Sequence, residues 1–143
     1  MIVRHGEYEI DDGRERFDGE CVYGWLSATY CSLNVTPGLL RRALNGSSLI
    51  VGVYRDREQV GCLRVVSDRA TFAWIADVFV TEPHRGKGLA RAMVRFALNH
   101  PDHQGLRRWM LATRDAHAVY GGVGFTPLPD PAQIMIYRPR SSS

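Results

Sequence analysis

The run Ala73–Val80 constrains this chain most. It is apolar along nearly its whole length, as a strand covered on both faces of a sheet must be. Its one ionisable residue is Asp77. Thr81-Glu-Pro-His-Arg-Gly-Lys-Gly88 follows, and then a segment with Leu89, Met93, Phe96 and Ala97 on one helical face, ended by Asn99-His100-Pro101. A buried strand that turns through a glycine-bearing loop into a helix leaves several backbone N–H groups without partners. Those donors and the positive end of the helix dipole form an anion site. Gly86 and Gly88 let the backbone approach a ligand without a Cβ clash, and Arg85 and Lys87 add charge.

Around this unit the pattern predicts a mixed α/β chain. Val22, Trp25, Leu26 and Tyr30 recur at helical spacing over Val22–Ser32, and Thr36-Pro37 caps and opens a second short helix that stops near Asn45-Gly46. Ser48–Tyr54 and Gln59–Val66 read as a hairpin across the polar turn Arg55–Glu58. Leu106–Thr113 reads as a strand, Asp115–Gly121 as a short helix with Asp115 as its cap, and Phe125 and Ile134–Tyr137 as final strand pieces. The expected domain is single, residues 1–138, with 139–143 a disordered polar tail. Average composition over 143 residues supports one domain, since 45% are hydrophobic and 23% charged.

Composition also removes function classes. No apolar run approaches the roughly 20 residues of a membrane span, and MIVRHGEYEIDD lacks the apolar centre of a signal peptide. A cytoplasmic location is expected. Cys21, Cys31 and Cys62 form no CxxC pair and leave an odd thiol, so neither a disulfide framework nor a zinc cluster is expected. Asp115 and His117 have no evident third ligand, and no metal is assigned. The net charge of +3 suits an anionic ligand, but the 17 arginines are scattered and no nucleic-acid-binding motif appears, so nucleic acid is not an expected partner.

Two phosphate loops fail on inspection. A P-loop needs Ser or Thr after Gly-Lys, whereas Gly88 follows Gly86-Lys87; a dinucleotide fingerprint needs a third glycine or alanine where Arg91 stands. The segment Arg85-Gly86-Lys87-Gly88-Leu89-Ala90 instead has the form R-x-x-G-x-A and resembles the pyrophosphate loop of the GNAT N-acetyltransferases. Ala116-His117-Ala118-Val119-Tyr120-Gly121-Gly122-Val123-Gly124-Phe125 resembles that family's later A-x-x-x-Y-x-x-x-G-F signature, with one helix and one strand between. The likeness is good from about Ser48 to Phe125 and weak before it.

The resemblance implies a mostly antiparallel central sheet flanked by helices, with two strands splayed around the pantetheine arm of acetyl-CoA. Backbone groups of Val78, Phe79 and Val80 would face that arm, with Arg85, Gly86, Lys87, Gly88, Leu89 and Ala90 around the pyrophosphate. The implied reaction is direct attack of a primary amine, on a small molecule or a peptide N-terminus, on the thioester. The departing thiolate needs an acid, and Tyr120 matches the family's; a phenol of ordinary pKa, about 10, is protonated at neutral pH. Asp77 is the best base candidate, because a carboxylate desolvated in an apolar strand gains basicity. Thr113 stands where many members have a cofactor-contacting asparagine, which leaves that contact to a hydroxyl. Trp25, Tyr30, Arg64 and Trp74 are candidate acceptor-pocket residues, Arg64 as an anchor for a substrate carboxylate. A silent acyl-CoA sensor is the alternative; it would keep Arg85–Ala90 but have no use for Tyr120 or Asp77. Monomer and homodimer both remain open.

Overall fold

The computed structural model describes residues 1–29 and 35–139. One sheet runs through it in the order β1 (Ile2–His5), β2 (Tyr8–Asp11), β3 (Leu49–Arg55), β4 (Glu58–Ser67), β5 (Phe72–Val80), β6 (Arg108–Leu111). Every neighbouring pair is antiparallel except β5–β6, which is parallel. Helices α1 (Gly19–Thr29) and α2 (Pro37–Gly46) precede the meander; α3 (Leu89–Asn99) and α4 (His117–Gly121) flank β6 in sequence. The mixed α/β architecture is as the sequence pattern predicts, and the mostly antiparallel sheet is as the family resemblance implies.

Strand alternation sends the two faces of the sheet to different helices. Leu63, Val65, Ala73 and Ile75 join Leu89, Met93, Val94 and Phe96 of α3 in the larger core. Cys62 faces the other way, into a smaller core with Val22, Leu26 and Leu40 of α1 and α2. Burial of each large α3 side chain contributes about 1.5–3 kcal/mol, enough to hold an 11-residue helix that is marginal alone.

The β4–β5 ladder contains an irregularity with consequences for function. Arg64 pairs with Ala76 and Cys62 with Phe79, so two steps on β4 span three on β5. The extra residue is accommodated at Asp77, whose φ is +56. A β-bulge bends its strand, and aspartate is among the few residues that tolerate the left-handed region. Gly61 permits the close approach at this point, because a Cβ there would lie 2.9 Å from the Phe79 carbonyl oxygen. The partner on the other side ends early: β6 pairs only with Phe72–Ile75, leaving Ala76–Val80 open on that edge. The splay between β5 and β6 thus begins at the bulge.

Several boundaries differ from expectation. The hairpin β1–β2, joined by Gly6-Glu7 with Gly6 at φ +60, occupies a stretch read only for a leader peptide. Strand β6 covers four residues rather than Leu106–Thr113. Helix α1 starts at Gly19, three residues early, and its expected end, with Tyr30 and Cys31, lies outside the described residues. Thr36 caps α2 as expected, its hydroxyl accepting from the Leu39 N–H. Phe125 and Ile134–Tyr137 form no strand; the latter are exposed, Met135 at 92%. Apolar β-branched composition does not make a strand where the preceding Thr126–Pro131 segment, with three prolines, carries the chain away from a ladder partner.

Candidate active site

The open edge of β5, the loop after it and α4 enclose a groove of about 600 Å³, within the range of small-ligand sites. Val78, Phe79 and Val80 form one wall. Arg85, Gly86, Gly88, Leu89 and Ala90 form the end where α3 begins, and Tyr120 with Asp115 and Val119 stands opposite. Residues separated by up to 42 positions in sequence therefore meet in one cleft.

Local physics explains the loop. Pro83 lies in a short 3₁₀ turn, Glu82–His84, after which Gly86 at φ +78 and Gly88 at φ +76 alternate left-handed with ordinary conformations. The N–H groups of Gly86, Lys87 and Gly88 have no acceptor among the described residues. They immediately precede the first turn of α3, and a helix N-terminus of this kind binds anions. A Cβ at Gly88 would meet nothing closer than the His5 ring at 3.7 Å, an ordinary contact. Glycine is required there by backbone conformation, not by crowding. The Arg85 Nε donates to the Val80 carbonyl at 2.8 Å, and its guanidinium lies 5.4 Å from the centre of the Phe79 ring. That holds the charge at the groove mouth.

Tyr120 is half-buried, edge-on to Phe125 and packed against the larger core, which fixes its ring. Thr113 does not line the groove; its hydroxyl accepts from the Ala116 N–H at 3.0 Å and so caps the approach to α4. Asp115, expected in that capping role, makes no such bond and faces the groove instead. Lys87 is exposed and contributes its carbonyl to a contact with His5 at 2.7 Å.

Asp77 is not isolated. The Arg64 Nε donates to its Oδ2 at 2.6 Å, and the Arg64 Nη1 reaches Ser47 Oγ at 3.5 Å. Both residues of the ion pair are about one-fifth exposed. On the same side of the sheet Trp25 stacks on Phe79, with ring centres 5.4 Å apart and planes 18° apart. Arg64 and Asp77 thus meet at the bulge, and Trp25 lies on Phe79, two residues further along β5. Trp74 does not join them: it lines a separate hollow of about 450 Å³ with Phe72, Met110 and Ile134 at the other end of β5. Among the described residues no cluster of three His, Cys, Asp or Glu could hold a metal ion, and no helix is long and apolar enough to cross a membrane.

The acetyltransferase (GNAT) family model matches residues 17–125, three-quarters of the chain. The chain belongs to the GNAT acetyltransferase family. A crystal structure of a Xanthomonas campestris pv. campestris protein assigned to the same family is 38% identical, covers 94% of this chain and 95% of its own, and superposes with a TM-score of 0.87. An Arabidopsis thaliana glucosamine-6-phosphate N-acetyltransferase shares the fold at a TM-score of 0.65 and 17% identity, covering 95% and 99% of the two chains. A curated acetyltransferase of Gibberella zeae is 33% identical over 52% of this chain; the match spans about half the length of that relative.

Within this GNAT domain three contributors escaped the motif reading. His84 is half-buried in the groove wall and bonded through Nδ1 to the Tyr8 hydroxyl at 2.8 Å. Arg91, on α3, donates to the Ala118 and Val119 carbonyls at 3.0 and 3.2 Å and so ties α4 to the loop helix. His5 reaches the loop from β1. Each acts across more than 25 positions, and no spacing rule reports such pairings. The glycine at 122 is a partial signal for Arg91, because a Cβ there would lie 2.6 Å from the guanidinium carbon.

Proposed function

We propose that this GNAT-family protein transfers an acetyl group from acetyl-CoA to a primary amine by direct attack, without an acyl-enzyme. The observation that carries the reading is the continuity of the groove from the open backbone of Val78–Val80, through the unpaired amides of Gly86–Gly88, to Tyr120. A long ligand with an amide-bearing arm and a pyrophosphate fits that sequence of surfaces. The arm would complete the ladder that β6 leaves open, and the anion would lie on the loop and the first turn of α3. Bound there, acetyl-CoA supplies an activated thioester whose carbonyl the amine attacks.

The chain's own residues divide the remaining work. Tyr120 donates a proton to the departing sulfur. Asp77 attracts the acceptor's ammonium from the Trp25 side and takes its proton, directly or through water, while Arg64 fixes the carboxylate. That pairing limits Arg64 as an anchor for a substrate carboxylate. With its Nε committed to Asp77, its remaining donors are what a substrate carboxylate could engage. Trp25 would cover the apolar part of a small amine or a peptide N-terminus. The test is release of free thiol from acetyl-CoA in the presence of a panel of amines, amino acids and short peptides. Amine-dependent release supports the proposal. CoA binding with no release on any amine would favour the sensor.

A further inference from the structure

The N-terminal hairpin touches the loop at two points, and both contacts are polar. His5 Nε2 lies 2.7 Å from the Lys87 carbonyl oxygen. A carbonyl only accepts, so Nε2 carries the proton and the ring donates. Tyr8, 3% exposed in the core, holds its hydroxyl 2.8 Å from His84 Nδ1, with the rings edge-to-face at 5.6 Å. His84 in turn lines the groove. The hairpin itself is anchored, because β2 pairs with β3 and Asp11 and Glu9 both accept from Arg16.

We propose that His5 and Tyr8 are positioning residues that set the pyrophosphate loop in its binding conformation before the ligand arrives. The inference rests on the reading of Arg85–Ala90 as the CoA site. Lys87 sits between Gly86 and Gly88, the two residues with most backbone freedom in the loop. A trans peptide directs its C=O and the next N–H oppositely. Fixing the Lys87 carbonyl on His5 therefore points the Gly88 N–H away from the hairpin and prevents the peptide from flipping its oxygen toward an anion. The Tyr8–His84 bond fixes the other end of the loop. A loop ordered in advance loses less entropy on binding, so the two bonds raise affinity for a pyrophosphate-bearing ligand without touching it.

The test compares two donors in steady-state kinetics, acetyl-CoA and S-acetylpantetheine, which lacks the pyrophosphate, with calorimetric titration of CoA alongside. His5→Ala and Tyr8→Phe should each raise KM for acetyl-CoA and Kd for CoA about 3- to 10-fold, the scale of one hydrogen bond. kcat should hold, and kcat/KM for S-acetylpantetheine should not change. His5→Gln, whose amide can donate to the same carbonyl, should restore most of the loss. Tyr8→Phe keeps the buried ring, and melting curves of all variants report folding separately. Unchanged KM for acetyl-CoA, or an equal loss with both donors, would overturn the positioning role while leaving the enzyme reading intact. Wild-type protein that binds no CoA would overturn the enzyme reading, and this inference with it.

Discussion

Gly88→Ala isolates the conformational demand of the loop, since the alanine methyl would meet only the His5 ring at 3.7 Å. No steric penalty is owed. The cost comes from φ +76, which for an L-residue with a Cβ is about 1–2 kcal/mol. That cost can surface in two places. If the loop keeps its shape in the free protein, folding stability falls by the whole amount. If the free loop relaxes to a negative φ, stability is spared but CoA must force the left-handed conformation back, and Kd rises by about 5- to 30-fold. The two losses are complementary, so their sum is the predicted quantity. Urea unfolding gives the first and calorimetric titration with CoA the second. A sum near zero would refute the claim that the binding conformation requires positive φ at residue 88.

The other predictions concern chemistry and pH. Tyr120→Phe should lower kcat by about 10²-fold or more while leaving Kd for CoA nearly unchanged, as loss of a general acid does; undiminished turnover removes Tyr120 from that role. Asp77→Asn retains a side chain that tolerates φ +56 and can still accept from Arg64, so the fold should survive while kcat falls, by about 10²-fold if the carboxylate is the base. Wild-type turnover in that variant would leave proton removal to water. His103 is buried, and desolvation, with the His100 and Arg69 charges, holds its pKa below the ordinary 6.5. The unfolded chain therefore binds the proton first as pH falls. Stability from this site is full above pH 6.5 and declines below it, and His103→Gln should flatten that limb in melting-temperature measurements against pH.

How far the sequence discloses this molecule depends on the range over which each feature is encoded. The α3 face, the Thr36 cap and the loop glycines are local, and their residues report them directly. So is the bulge in retrospect: an aspartate within Ala73–Val80 is an anomaly for a buried strand, and the structure explains it by a positive φ and an arginine partner. The residues around the groove were legible because two separated signatures each supply a wall. What stayed hidden was contact across distance. His5 and Lys87 are 82 positions apart, and Tyr8 and His84 76, with no periodicity to relate them. The alternation of Tyr8 and Ile10 with Glu9 and Asp11 does mark a half-buried strand, but four residues give a weak signal beside the longer runs. Ile134–Tyr137 errs in the opposite sense, with strand-like composition on a segment that finds no ladder.

The proposed function requires the groove between β5 and α4 to bind acetyl-CoA through its pyrophosphate and pantetheine. A thermal-shift series with acetyl-CoA, CoA, NAD and ATP tests it most directly. A ligand at 100 times its Kd adds about 2.7 kcal/mol. With an unfolding entropy of about 2.1 cal/mol/K per residue, a chain of this length should melt roughly 9 °C higher. That shift is expected with acetyl-CoA and CoA, and none comparable with NAD or ATP. No shift at millimolar CoA, or an equal shift with all four, would contradict it.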